Sequence, residues 1–173
     1  LIEKLESQTK TNAEISLLRA YLEFNRGDLE TAQKQFLQTL ELDPRSVDAL
    51  LGLASLSLRS GKLEEALDTL NQAVEINTRL GRVHFLRSTV LFRMGDYLQG
   101  DLALQRAIEN DPQEPIFQLL SLRRRLMKGE IDSVEQSLLR LQEKYPLKME
   151  VLQLRASLAA ARGDYENAEE LLS

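Results

Sequence analysis

The chain has 173 residues, and its 22 basic and 27 acidic side chains give a formal net charge of −5 at pH 7. It contains no cysteine, which excludes disulfides, thiolate metal sites and a cysteine nucleophile. The lack of cysteine is compatible with the cytoplasm and with the periplasm. No run of about 18 apolar residues occurs, so the sequence predicts no membrane-spanning helix.

The most regular feature of the chain is a glycine that recurs every 34 residues, at Gly27, Gly61, Gly95, Gly129 and Gly163. A fixed period of this size is typical of stacked helix pairs. No segment shows sustained two-residue alternation of apolar side chains, which would indicate strands. The sequence therefore predicts an all-α fold, an α-solenoid of antiparallel helix pairs.

In chain order, residues 1–12 are predicted to be the second helix of a truncated preceding repeat, because Ile2 and Leu5 fall on its apolar positions. Four full units are predicted to follow, at 13–46, 47–80, 81–114 and 115–148. A fifth, at 149–173, stops inside its second helix. We expect the sequence to be a fragment of a longer protein. Positions below are counted from the first residue of each unit.

The units share residues at the positions where their helices are predicted to begin, pack and end. The glycine at position fifteen is predicted to end the first helix in a left-handed conformation, and four of the five residues that follow it are acidic, which suits a helix N-terminus. A small residue then precedes a large apolar one by four residues, as in Ala32 and Phe36, so that both lie on one helical face. Pro44, Pro112 and Pro146 close three of the units.

These residues carry a family resemblance. Gly-Asp at 27–28, 95–96 and 163–164, Ala32, Phe36 and the segment LELDP at 40–44 resemble the tetratricopeptide repeat. The resemblance covers nearly the whole chain without an insertion. It implies a right-handed superhelix whose first helices line a concave groove that holds a peptide or a helix of a partner protein.

The resemblance also implies which residues face that groove, namely positions two, five, nine, twelve and thirteen. The partner-binding candidates are Leu17, Tyr21, Phe24, Leu51, Ser55, Leu58, Arg59, Arg82, Phe85, Thr89, Phe92, Arg93, Leu119, Arg123 and Leu126. A second interpretation places positions five and twelve in the core of a rotated first helix. It rests on position seven, where the family favours apolar residues and this chain has Arg19, Leu53, Arg87, Ser121 and Arg155.

The candidate groove is an apolar stripe edged by arginines, which predicts a protein partner with an amphipathic helix or extended segment flanked by acidic residues. Arg123, Arg124, Arg125 and Lys128 make the fourth unit basic. They are either an anchor for an acidic partner or a solvated helix face. The lysine and asparagine side chains with which some members of the family clamp a chaperone's C-terminal carboxylate are replaced by Leu17, Tyr21 and Phe85.

Other functions are less consistent with the sequence. His84 is the only histidine, no phosphate-binding loop or metal-ligand spacing occurs, and we predict no enzyme, cofactor or metal. The acidic chain has no basic stripe across its repeats, which argues against RNA binding. A structural spacer or self-assembly arm, with a homodimer through exposed terminal repeats, remains an alternative. The Leu/Ala/Arg-rich units resemble bacterial scaffolds of envelope assembly and polysaccharide export.

Overall fold

The computed structural model describes residues 2–145 and 149–171, with the side chains of residues 2–8 excepted. Over these ranges the chain forms ten α-helices and no strand. The helices are α1 (Ile2–Arg26), α2 (Leu29–Leu42), α3 (Val47–Arg59), α4 (Leu63–Ile76), α5 (Gly81–Met94), α6 (Tyr97–Asn110), α7 (Pro115–Met127), α8 (Ile131–Lys144), α9 (Met149–Ala161) and α10 (Tyr165–Glu170). The predicted all-α class is confirmed.

The turn inside each helix pair follows from the glycine at position fifteen. All five glycines have φ between +75° and +88°, a region in which other residues are strained. After Gly27, the Asp28 carboxylate accepts a hydrogen bond from the Thr31 backbone N–H at 3.0 Å and caps α2. Asp96 caps α6 in the same way. Lys62 and Glu130 begin α4 and α8 without a side-chain cap.

The chain divides into two units, residues 1–110 and 111–173. In the first unit three helix pairs pack in sequence, α1 with α2, α3 with α4 and α5 with α6. Its core includes Phe36 and Leu70, both at position twenty-four of their repeats and fully buried. The Phe36 ring lies on Gly52 of α3, so a second-helix side chain packs directly on the next first helix.

The second unit contains the pairs α7 with α8 and α9 with α10, which have a separate core. Val134 and Leu138 of α8 are buried there with Val151 and Leu154 of α9. The packing thus repeats the arrangement of a second helix against the following first helix. No helix in the described parts of either unit is long and apolar enough to cross a lipid bilayer.

One difference from the sequence prediction is that α1 is a single helix of 25 residues. It runs without a break through the predicted boundary between residues 12 and 13. The physical reason is local, since neither proline nor glycine occurs between Ile2 and Arg26 and nothing there interrupts helical hydrogen bonding. The assignment of residues 1–12 to a preceding repeat stays a prediction.

Candidate functional site

The first helices of unit 1 lie side by side, α1 next to α3 and α3 next to α5. The predicted partner-binding residues of repeats one to three are carried by these helices, and we call the surface they form the first-helix face. Its members are Leu17, Tyr21 and Phe24 from α1, Leu51, Ser55, Leu58 and Arg59 from α3, and Arg82, Phe85, Thr89, Phe92 and Arg93 from α5. The candidates Leu119, Arg123 and Leu126 belong to α7 in unit 2.

Position five of the repeat lies in or against the core. Leu51 is buried in the core of pairs two and three, and Leu119 is buried in the core of unit 2. Leu17 is half-buried and packs against the core cluster that contains Phe36. These side chains offer little surface to a ligand, as expected from the interpretation that places position five in the core.

Position twelve is half-buried and also contacts the core. Leu58 packs against the core of pairs two and three, and Leu126 packs against that of unit 2. Phe92 lies on Gly100 of α6, where an added Cβ would overlap its ring. Each of these side chains therefore contributes to packing within its unit and exposes only part of its surface.

A chain of polar contacts connects Tyr21 of α1 with the N-terminal turns of α3 and α5. The Tyr21 hydroxyl of α1 donates a hydrogen bond to the backbone carbonyl of Asp48 in α3 at 3.0 Å. The Asp48 carboxylate pairs with Arg82 of α5, with 2.8 Å between Oδ1 and Nη2. Burial raises the pKa of the Tyr21 phenol, Asp48 raises it further, and Arg82 opposes them. The phenol thus remains a donor at ordinary pH.

A second set of contacts joins position twelve to position thirteen of the next repeat. The Arg59 guanidinium of α3 lies over the Phe24 ring of α1, 5.0 Å from its centroid. One repeat later, Arg93 Nη1 of α5 donates to the Leu58 carbonyl of α3 at 2.9 Å. The two arginines remain exposed. Each arginine makes one contact with the preceding first helix.

The hydroxyl groups of Ser55 and Thr89, also at position nine, are used within their own helices. Ser55 Oγ donates to the Leu51 carbonyl at 2.7 Å, and Thr89 Oγ1 donates to the Phe85 carbonyl at 3.1 Å. Phe85 itself is half-buried. Neither hydroxyl therefore has the unused donor that a polar contact with a ligand would need.

In unit 2, the basic residues near the end of α7 differ in their environment. Arg125 Nε pairs with Glu130 Oε2 at 3.0 Å, while Arg123 is exposed. His84, the only histidine of the chain, is buried in α5, and its Nε2 lies 2.8 Å from the Thr78 carbonyl. It therefore fills a packing position. No group of three potential metal-ligating residues occurs in the described ranges.

Sequence analysis missed the central place of Asp48, which contacts both neighbouring first helices. A signal was present, because Asp48 and Arg82 occupy position two of consecutive repeats and have opposite charges. Residues at equal positions of adjacent repeats come close when the repeats stack.

Comparison with known proteins agrees with this geometry. The sequence model of the tetratricopeptide repeat matches residues 17–79, which include the described contacts between α1 and α3. This part of the chain thus matches the tetratricopeptide repeat family. Tetratricopeptide repeat protein 21A of Mus musculus is 31% identical over 93 residues, or 52% of this chain. The match spans only 7% of that much longer relative.

Solved structures of tetratricopeptide repeat proteins and others share the fold of this chain. PilF of Pseudomonas aeruginosa aligns with 95% of this chain and 75% of its own, at a TM-score of 0.80 and 18% identity. YrrB, a tetratricopeptide repeat protein with an unusual peptide-binding site, aligns with 98% of this chain and 88% of its own, at a TM-score of 0.64 and 21% identity. These likenesses agree with the predicted α-solenoid class.

Proposed function

Tetratricopeptide repeats are protein-interaction scaffolds, and we propose that this one binds an acidic segment of a partner protein on the first-helix face. The observation that carries the proposal is that Arg59, Arg82 and Arg93 each contact the preceding first helix while remaining largely exposed. A guanidinium has five N–H donors, so each arginine retains donors for a ligand.

The contacts that hold these arginines restrict their positions before a partner arrives. Exposed ion pairs contribute at most about 1 kcal/mol to stability, so the same contacts leave the side chains able to engage a stronger acceptor. Restricting rotamers in advance lowers the entropy lost on binding. Carboxylates match the planar fork of arginine, which favours aspartate and glutamate as the partner's polar residues.

The apolar part of the proposed interface comes from side chains that are half-buried on the same helices. Phe24 presents a ring already stacked with Arg59, and Phe85 lies in α5 between Arg82 and Arg93 along the sequence. A partner with apolar residues between acidic flanks would complement this surface. The peptide-binding site of YrrB is consistent with such a role for this fold.

The proposal predicts that removing the three charges weakens peptide binding selectively. Peptides would be selected from a random display library on the wild-type chain, and their affinities measured by fluorescence anisotropy. We expect acidic, apolar-centred peptides, with Kd values raised at least about tenfold by combined Arg59→Gln, Arg82→Gln and Arg93→Gln substitutions.

The matched control changes Arg19, Arg45 and Arg79 to glutamine, which removes the same charge from exposed positions outside the first-helix face. It should leave the affinity unchanged. Equal losses in the two triple variants would mean that only net charge matters. Unchanged binding in the first triple variant would place the site elsewhere.

A second candidate, self-association through α1, is favoured by a separate observation. Ile15, Leu18 and Leu22 are exposed on one stripe of α1, although the equivalent Ala49, Gly52 and Leu56 of α3 are buried under α2. The surface that another helix covers in the second repeat is thus open in the first. A second copy of the chain could cover it.

Self-association predicts a concentration-dependent dimer in sedimentation velocity. Combined Leu18→Gln and Leu22→Gln substitutions should abolish the dimer because they remove apolar area from the stripe. Leu37→Gln with Leu139→Gln, at exposed positions on α2 and α8, should not affect it. A wild-type chain that stays monomeric at all concentrations would contradict this candidate. Placement in a bacterial envelope assembly stays a prediction.

A further inference from the structure

The arginines at position seven are not used by the first-helix face. The equivalent Leu53 of the second repeat lines a cleft with Gln33 of α2 and Glu65 of α4. In the fifth repeat, Arg155 lines a cleft of about 140 Å³ with Leu139 of α8 and Asn167 of α10. Position seven therefore points between consecutive second helices, on a different surface from the first-helix face.

By the same register we infer that Arg87 of α5 faces the space between α4 and α6, and its pKa responds to Arg106 of α6. Arg87 is half-buried, and its buried Nε has no hydrogen-bond partner. Burial lowers the pKa of its guanidinium, and the charge of Arg106 on α6 lowers it further. The charged group that acts on Arg87 is thus another cation, and a buried donor without an acceptor is costly.

In the clefts lined by Leu53 and by Arg155, acidic side chains already have partners within the protein. Glu65 accepts a hydrogen bond from Ser57 at 2.8 Å and pairs with Lys62. In unit 2, Glu135 on α8 pairs with Arg162. The α4 residue that corresponds to Glu135 is Leu67, at position twenty-one, so α4 has no carboxylate at the equivalent point beside Arg87.

The adjacent surface of α6 is apolar where the other second helices are polar. Leu98 is 71% exposed and Leu102 is 46% exposed. The equivalent residues of the other repeats are Glu30, Glu64, Asp132 and Glu166 at position eighteen, and Lys34, Asp68, Gln136 and Glu170 at position twenty-two. Leu98, Leu102 and Arg106 are spaced four residues apart and therefore share one side of α6.

We propose that Leu98, Leu102 and Arg106, together with Arg87, form a second docking surface that binds an amphipathic helix of a partner protein through two apolar side chains and a carboxylate. We call these four residues the α6 surface. The partner's carboxylate accepts hydrogen bonds from Arg87 Nε and from Arg106. The buried Nε–H of Arg87 thereby gains an acceptor, and a negative charge lies between the two guanidinium groups. The leucines bury apolar area under the partner helix.

The test uses three synthetic helical peptides of about 15 residues. The first has leucines at i and i+4 and a glutamate at i+8, the second has glutamine in place of the glutamate, and the third has phosphoserine there. Binding to the full chain is followed by NMR, with the Arg87 Nε–Hε resonance as the direct readout. The glutamate peptide should shift that resonance and bind at least about tenfold more tightly than the glutamine peptide.

Four variants separate the contributions. Arg87→Gln with Arg106→Gln, and the exposed Arg106→Gln alone, should reduce the preference for the glutamate peptide. The combined Leu98→Gln and Leu102→Gln substitutions should weaken the binding of the glutamate peptide and of the glutamine peptide by the same factor. Lys34→Gln with Arg140→Gln, a charge-matched control on α2 and α8, should change nothing. The triple arginine variant of the first-helix face should also bind normally.

An Arg87 Nε–Hε resonance that no peptide shifts would overturn the proposal. So would an unchanged preference for glutamate in both Arg106→Gln variants. A phosphoserine peptide that binds far more tightly than the glutamate peptide would assign the anion to phosphate and reject a carboxylate partner. Loss of binding in the triple variant of the first-helix face would show that the peptide binds there and not on the α6 surface.

Discussion

At the scale of single residues, close packing depends on glycines that lack a side chain where an aromatic ring lies. Phe36 is fully buried because Gly52 leaves room for its ring on α3. Gly100 does the same for Phe92, which turns a predicted partner-binding residue toward its own helix pair. Glycine inside a helix lowers helix stability. At these two positions the loss is offset by the packing of an aromatic ring against the helix backbone.

The contact predicts that Gly52→Ala destabilises unit 1 although alanine favours helix. The added Cβ would overlap the Phe36 ring, and forcing the two apart should cost about 1–3 kcal/mol. Urea denaturation of the wild type and the variant measures the difference. In a Phe36→Leu background, where a smaller side chain faces the alanine, the penalty should shrink. An equal penalty in both backgrounds would disprove the steric cause.

The arginines show how one residue type takes different roles. Arg59 lies over an aromatic ring, Arg82 pairs with a carboxylate and Arg93 donates to a backbone carbonyl. Arg87 is half-buried with an unsatisfied Nε. Sequence analysis predicted the arginine edge of the first-helix face. It did not predict the partners of Arg59, Arg82 and Arg93, each of which belongs to a neighbouring repeat.

At the scale of elements, Tyr21 of α1 makes an aromatic contact with Phe36 of α2 and a hydrogen bond to α3. The Tyr21 ring meets Phe36 edge-to-face at 5.1 Å, and its hydroxyl donates to the Asp48 carbonyl. Tyr21 is therefore both a candidate for partner binding and a link between the first two repeats. Its ring surface and its hydroxyl can be separated by substitution.

Tyr21→Phe should lower the free energy of unfolding by about 1 kcal/mol, because the Asp48 carbonyl loses its donor while the ring packing remains. Thermal and urea denaturation measure this loss. Tyr165→Phe, which removes an exposed hydroxyl from α10, is the matched control and should have no effect. A Tyr21→Phe variant as stable as the wild type would show that the hydrogen bond makes no net contribution.

The ends of the helices were largely predictable. Glycine in the left-handed region and an acidic cap are local signals, and the structure has both at Gly27 and Asp28. Helix α1 runs through the predicted repeat boundary between residues 12 and 13, because no proline or glycine interrupts that segment. Periodicity alone does not end a helix when the intervening residues favour it.

At the scale of the whole molecule, the chain consists of two units with separate cores. Unit 1 contains three helix pairs and unit 2 contains two. In repeat proteins, stability comes from each repeat and its neighbouring interfaces, so an array of three pairs has more interfaces to stabilise it than an array of two.

We predict that residues 1–110 fold on their own. Circular dichroism of this fragment should show a helical spectrum and a cooperative thermal transition, because its three pairs include the described cores around Phe36 and Leu70. Residues 111–173, with two pairs, should be the less stable fragment. A fragment 1–110 that is unfolded in isolation would show that its core depends on unit 2.

The sequence by itself determined the class of the fold, the 34-residue period and the turns at Gly27 and its equivalents. These features depend on backbone preferences and on apolar spacing within a few residues, which are readable locally. It also predicted that the first helices carry arginines beside apolar side chains.

Tertiary structure alone decided which of those side chains are available. It buried Leu51, turned Phe92 onto Gly100, joined Tyr21, Asp48 and Arg82, and left Arg87 beside a second cation. The physical reason is that each outcome depends on atoms about one repeat away or on a facing helix. Such contacts are set by how helices pack, and a single sequence encodes that packing only indirectly.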